Sequence, residues 1–314
     1  MQDRTNTSVQ TQVYDVLLFD NFSNHCLANT VEPMRAANML SRQPLYAWRF
    51  LTPDGAAVHS SSGLQVAPHD RLDAGRGAML LVMPSYGFRD LEGWATQRAL
   101  RAAARRYPVL AGLDTGSWLL ARAGLLDGHR ATIHWEELTR FAETFPQVET
   151  LRERFVLDGP RITCSGAMAA FDLILHLIGR DHGQLLALEV AQLFMTRDSA
   201  RSHAAPAGGG TRQVNRAVMV MQDTLEQPLP IAEIARRAGC TQKTLETRMR
   251  AAFDATPQTV YRRLRLNLAR KLVTETDLPV SEIATRCGYD NASALTRAFR
   301  ARFGQAPRGL RANG

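Results

Sequence analysis

The sequence has little of what marks membrane, secreted and metal-bound proteins. No apolar run approaches the roughly 20 residues of a membrane span; even Phe171 to Ile178 soon meets Arg180 and Asp181. Met1 to Gln12 is polar and lacks the apolar stretch of a secretory signal, so a cytoplasmic protein with no membrane partner is expected. Cysteine is scarce. Cys26, Cys164, Cys240 and Cys287 are scattered without CxxC or nearby Cys/His pairing, so neither a metal site nor a disulfide framework is expected. The remaining composition, 45% hydrophobic and 22% charged over 314 residues, is that of a globular chain long enough for two domains.

Positive charge is unevenly placed. Residues 1–211 hold 20 basic and 21 acidic side chains, a net of −1, whereas residues 212–314 hold 18 and 9, a net of +9. A basic domain joined to a neutral one suggests that one part binds a polyanion and the other does something else.

Short β-rich runs at Val13 to Phe19, Trp48 to Thr52, Ala78 to Met83 and Val109 to Leu113 alternate with helical stretches near 30–42, 97–106 and 117–123. The near-continuous apolar run Ala78 to Met83 predicts a strand buried on both faces, and the alternation predicts a parallel α/β sheet covered on both sides. Helices at about 167–180 and 184–197 close this domain. The expected organisation is a polar leader at 1–12, a domain at 13–198, a small and flexible linker at 199–211 and an all-α domain at 212–314.

The basic domain contains an internal repeat. Leu229-Pro-Ile-Ala-Glu-Ile-Ala-Arg-Arg-Ala-Gly239 and Leu278-Pro-Val-Ser-Glu-Ile-Ala-Thr-Arg-Cys-Gly288 agree at seven of eleven positions, 49 residues apart. Each copy reads as a short helix ended by glycine and followed by a second amphipathic helix, which is a helix-turn-helix. The second helix of copy one begins near Thr241, buries Leu245, Met249 and Phe253, and turns Gln242, Lys243, Glu246, Thr247 and Arg250 outward. Copy two begins near Asp290 as N-cap and buries Leu295, Phe299 and Phe303. Its open face carries Asn291, Ser293, Thr296, Arg297 and Arg300, side chains suited to base edges and phosphates. A helical connector, Pro257 to Val273, holds Arg262, Arg263, Arg265, Arg270 and Lys271 and is expected to add phosphate attraction. Recognition helices in successive major grooves would lie about 34 Å apart.

With the connector Thr256-Pro-Gln-Thr-Val-Tyr-Arg-Arg-Leu-Arg-Leu266 and the ending Phe299-Arg-Ala-Arg-Phe-Gly-Gln-Ala-Pro307, the pair of motifs resembles the DNA-binding domain of AraC/XylS-type transcription regulators over roughly 212–312. The resemblance places base reading on Asn291, Ala292, Ser293, Thr296 and Arg297 of the second motif and on Lys243, Glu246 and Thr247 of the first. Thr247 stands where the family often has Arg.

In the front domain, Val109-Leu-Ala-Gly-Leu-Asp114-Thr-Gly116-Ser-Trp118 reads as a strand running through a tight glycine-containing turn into a helix. Such an elbow sets one side chain at the carboxyl end of a parallel strand, beside a helix N-terminus; in enzymes that side chain is Ser or Cys. The strings Ala121-Arg-Ala-Gly-Leu-Leu-Asp-Gly-His-Arg-Ala-Thr-Ile-His-Trp135 and Gly166-Ala-Met-Ala-Ala-Phe-Asp172 resemble the DJ-1/PfpI, or class I glutamine amidotransferase-like, domain in the version fused to AraC domains, over about residues 13–198. That resemblance implies a flavodoxin-like parallel sheet. It also implies an elbow Cys with a nearby His and a supporting acid; here Asp114 occupies the elbow, His134 matches the histidine, and the acid's position falls near His25 or Cys26, so the acid is absent.

Without a thiol at the elbow there is no nucleophile to activate, so a sensor is expected and an enzyme is not. No cofactor is expected. A carboxylate at Asp114 with Thr115, Trp118, His134, Trp135, Phe22, Asn24 and Tyr86 around it would suit a cation, through Coulomb attraction and aromatic faces. Trp118 and Trp135 also read as core residues, and Asp114 as a simple helix cap. Relatives with an Asp-Thr-Gly elbow resemble regulators of glycine betaine, carnitine or arginine catabolism, which implies a cationic or zwitterionic amine effector. The expected protein is a ligand-responsive activator of catabolic genes that binds an operator in double-stranded DNA as a homodimer and contacts RNA polymerase. Two alternatives stay open: an amidase or hydrolase tethered to DNA, and a constitutive DNA-binding protein whose front domain only dimerises.

Overall fold

The computed structural model describes residues 10–194 and 212–312. The linker expected at 199–211 and most of the leader expected at 1–12 lie outside them. The chain divides into two compact units, Met1–Ile174 and Leu175–Gly314.

The first unit runs β1 (Gln12–Leu18), α1 (Asn24–Ser41), β2 (Tyr46–Thr52), β3 (Val58–His59), β4 (Gln65–Val66), β5 (Asp70–Arg71), β6 (Met79–Met83), α2 (Trp94–Ala104), β7 (Val109–Leu113), α3 (Gly116–Arg122), β8 (Arg130–Ala131), α4 (Leu138–Thr144), β9 (Glu149–Thr150), β10 (Phe155–Asp158), β11 (Arg161–Cys164) and α5 (Ala167–His182), within which the division falls. Seven strands form one sheet in the order β10-β11-β7-β6-β1-β2-β5. Every pairing in it is parallel except β10 with β11. All five residues of β6 are buried, which accounts for its unbroken apolar string. The expected parallel sheet is present, with one antiparallel hairpin at its edge. Its strands are only four residues each, with Asp158 and Arg161 flanking the Gly159 turn (φ +58°), so the short apolar run Phe155-Val-Leu157 gives a weak signal.

The second unit continues with α6 (Gln184–Phe194), α7 (Arg212–Asp223), α8 (Ile231–Ala238), α9 (Gln242–Phe253), α10 (Pro257–Glu275), α11 (Val280–Arg286), α12 (Ala292–Phe303) and α13 (Pro307–Ala312). It holds two small cores. One gathers Val214, Met221, Ile234, Leu245, Met249 and Val260; the other gathers Leu266, Val273, Ile283, Leu295, Phe299 and Phe303. Helix α10 supplies side chains to both and is the spine of the pair.

The repeat is also a repeat of structure. Gly239 and Gly288 end α8 and α11 at φ +78° and +67°, and the second helices end on left-handed Asp254 and Gly304. The N-cap of α12 is Asn291, not Asp290: Asn291 Oδ1 accepts from Ala294 N at 2.8 Å, as Thr241 Oγ1 accepts from Thr244 N at 3.2 Å. The second turn inserts Tyr289 and Asp290 where the first has Cys240 alone, and this moves the cap one residue on.

Candidate functional site

The elbow forms where β7 meets α3. Asp114 sits at φ +60°, a left-handed conformation that a non-glycine residue adopts at a cost. Gly116 follows because a Cβ there would lie 2.0 Å from the Val82 carbonyl oxygen of β6. The neighbouring strands end in the same way: Ser85 after β6 has φ +55°, and Asn21 after β1 has φ +64°. Three adjacent parallel strands thus close in left-handed turns at their carboxyl ends, where ligands of open α/β sheets bind. Backbone and side chain tie the turns together. Thr115 Oγ1 donates to Ser85 O at 2.6 Å, Tyr86 N donates to Asn21 O at 3.3 Å, and His134 N donates to Asp114 O at 3.2 Å.

Asp114 is only 9% exposed. Burial raises its pKa above the ordinary carboxylate range; the Ser85 hydroxyl and the charge of His134 pull the other way, and Glu136 adds to the rise. Ser85 is itself buried, and its hydroxyl lies beside this carboxylate.

The thiols near the elbow are no substitute for a nucleophile. Cys26 and Cys164 are fully buried, and burial together with the negative charge of Asp114 pushes the Cys26 pKa well up and that of Cys164 to about 12. Both are protonated at neutral pH.

The aromatic residues divide. Tyr86 (61% exposed) and Trp135 (71%) follow Ser85 and His134 directly, and the His134 and Trp135 rings lie 5.8 Å apart. Asn24 is half-buried in the first turn of α1. Two expected pocket residues are instead core. Trp118 is 2% exposed, edge-on to Phe88 at 5.4 Å and Phe145 at 5.0 Å, on a helix buried from Gly116 to Ala121. Phe22 is likewise fully buried, its backbone bridged to Ser60. Sequence reasoning missed Ser85 and Asn21. The signal available was a polar, turn-forming residue just past each buried strand.

The second candidate surface lies on α9 and α12. Gln242, Lys243, Thr247 and Arg250 are exposed on α9, with Glu246 half-buried. Gln242 donates to Glu246 at 2.9 Å, and Thr247 donates back to the Lys243 carbonyl at 3.0 Å. On α12, Ser293, Arg297 and Arg300 are exposed and Thr296 half-buried, while exposed Asn291 spends its carbonyl oxygen on the cap and keeps its amide N–H groups.

The connector does not act as a basic face along its length. Arg265 donates to the Cys287 and Gly288 carbonyls and stacks 4.3 Å over Tyr289; Arg263 lies 3.6 Å from Glu189; Arg270 lies 5.6 Å over the Phe303 ring. Of its five basic side chains only Arg262 and Lys271 are exposed, Lys271 at 3.9 Å from Glu275. The helix runs between two cores, so three of its arginines face packed neighbours.

Comparison with known proteins places this geometry. A helix-turn-helix domain family matches residues 234–313. The chain is similar to the HTH-type transcriptional regulator CdhR of Pseudomonas aeruginosa, 38% identical over 95% of this chain and 90% of that one. Among solved structures it resembles an AraC family transcriptional regulator from Pseudomonas putida, with TM-score 0.51 and 26% identity over 59% of this chain and all of the other. A ThiJ/PfpI family protein from Pseudomonas syringae has TM-score 0.52 and 20% identity over 76% of this chain and 94% of its own, a likeness of fold. No described helix is long and apolar enough to cross a membrane.

Proposed function

Because the chain belongs to the AraC/XylS-type family of helix-turn-helix transcription regulators, with a DJ-1/PfpI-type front domain, we propose that its ligand response resides at the Asp114 elbow and that the effector is a small cationic or zwitterionic amine. The protein is a DNA-binding regulator; the proposal concerns what it senses and how. The observation that carries it is Asp114, a buried carboxylate at the elbow beside the Ser85 hydroxyl, with the exposed aromatics Tyr86 and Trp135 directly following Ser85 and His134 in the chain. A quaternary or guanidinium cation would return charge to the carboxylate and lay its apolar surface on the rings. Thr115 and His134 position Asp114, and Asn24 opens α1 just past the Asn21 turn that follows β1.

The elbow holds a carboxylate where catalysis needs a thiolate, and both nearby thiols are protonated, which supports sensing over hydrolysis. Binding then changes how a homodimer presents α9 and α12 to its operator, activating transcription through RNA polymerase, in the cytoplasm where that DNA lies. The test is a thermal-shift screen of the full chain against quaternary amines, arginine and their amides, with product analysis in parallel. Stabilisation by an amine, lost in Asp114→Asn, is the expected result. Turnover of an amide that vanishes in the same variant would favour the hydrolase, and a promoter response to no metabolite would leave the front domain a dimeriser.

A further inference from the structure

Helix α6 precedes both helix-turn-helix motifs, yet it packs inside their unit. Its Leu185 enters the core of the first motif. Gln192 donates to the Leu264 carbonyl of the connector at 3.3 Å and accepts from Asn267 at 3.5 Å. At its centre Glu189, 1% exposed, places both carboxylate oxygens 3.1 Å from Arg302 Nη2 near the end of α12, and Arg263 Nη1 of the connector lies 3.6 Å away. One buried carboxylate therefore joins three elements: α6, the connector α10 and the second recognition helix α12.

A buried ion pair is a poor stabiliser, since desolvation offsets most of its attraction, but its directional geometry fixes the relation of the elements it links. Arg302 does not share the exposed face formed by Ser293, Arg297 and Arg300, so its pairing leaves base reading free. We propose that Glu189 is a positioning residue for DNA recognition: by holding Arg302 and Arg263 together it sets the separation of α9 and α12, and hence the spacing of the two DNA boxes that the protein accepts. This goes beyond the sensor reading and does not depend on it.

The experiment uses the full chain. Wild-type protein first selects its preferred duplex from a random-sequence pool, and the two boxes in that duplex are then moved apart or together by one base pair. Wild type is expected to lose at least ten-fold in affinity on either change. Glu189→Ala should lose at least ten-fold at the selected spacing, less than three-fold on a duplex with a single box, and most of its discrimination between spacings. Because Glu189→Ala leaves two guanidinium groups without their carboxylate and can unfold the unit, the double variant Glu189→Met with Arg302→Met replaces the pair with apolar volume and is expected to keep a near-native melting temperature. Relaxed spacing in that folded variant supports the role. Native spacing discrimination in it, equal losses on one-box and two-box DNA for Glu189→Ala, or a wild type indifferent to spacing would each overturn it.

Discussion

The Thr115 hydroxyl donates to the Ser85 carbonyl at 2.6 Å and so locks the left-handed turn after β7 to the one after β6. Both groups are buried. Thr115→Val keeps the side-chain shape and removes the donor, leaving a buried carbonyl unsatisfied at a cost of about 1–3 kcal/mol. The expected result is a lower denaturant midpoint at unchanged slope, together with weaker effector binding, because the turn that aims Asp114 loses its tether.

Asp114 links the site to pH. Its pKa is raised by burial, so the folded chain holds this proton more readily than the unfolded chain does, and the stability that goes with it is lost as pH rises through the folded pKa. Asp114→Asn suits the left-handed turn, which Asn tolerates, and removes the buried charge. It should stabilise the protein at pH 8 by about 0.5–2 kcal/mol, the usual range for single stabilising changes. The gain should fade as pH drops below the ordinary carboxylate range, and melting curves across pH measure it. A cationic effector needs the charged form, so its affinity should fall as pH falls through the same pKa, and calorimetry in buffers of different ionisation enthalpy should show a proton released on binding.

Much of this architecture was legible. The apolar strings of β6 and β7 and the stripe of α9 spaced by four residues, buried Leu245 and Met249 and half-buried Phe253, are direct records of packing. What could not be read shares one cause, which is partners distant in sequence. Trp118 sits on a short helix buried all round, where periodicity carries no facing information. Glu189 looks like a solvated charge until Arg302, 113 residues on, is placed beside it. The connector arginines form a charge run in sequence, whereas in space Arg263, Arg265 and Arg270 turn to different neighbours.

That division separates three arginines experimentally. Arg297 is exposed on α12 at a base-reading position, so Arg297→Ala should cost about 1–3 kcal/mol on the selected operator and much less on random DNA. Arg262, exposed on the connector, should when replaced weaken both alike and reduce the salt slope by about one. Arg265→Ala should instead lower the melting temperature and weaken binding with the salt slope unchanged, because the residue braces the second turn through the Cys287 and Gly288 carbonyls. Titrations at several salt concentrations distinguish the three.

The twin glycines of the repeat give an internal control for the packing between the motifs. Gly239 and Gly288 share a left-handed conformation, which costs an alanine about 1–2 kcal/mol. A Cβ on Gly239 meets nothing within 4 Å, whereas one on Gly288 would lie 2.3 Å from Pro228 Cγ and 2.8 Å from the Leu225 carbonyl oxygen, both ahead of the first motif. Gly239→Ala should therefore show the conformational cost alone. Gly288→Ala should lose more than twice as much stability and, by pushing the second turn away from Pro228, lose affinity for two-box DNA out of proportion to one-box DNA. Equal destabilisation of the two variants in denaturant titrations would mean that the second turn moves without resistance, and that the close approach of Gly288 to Pro228 does not hold the motifs in register.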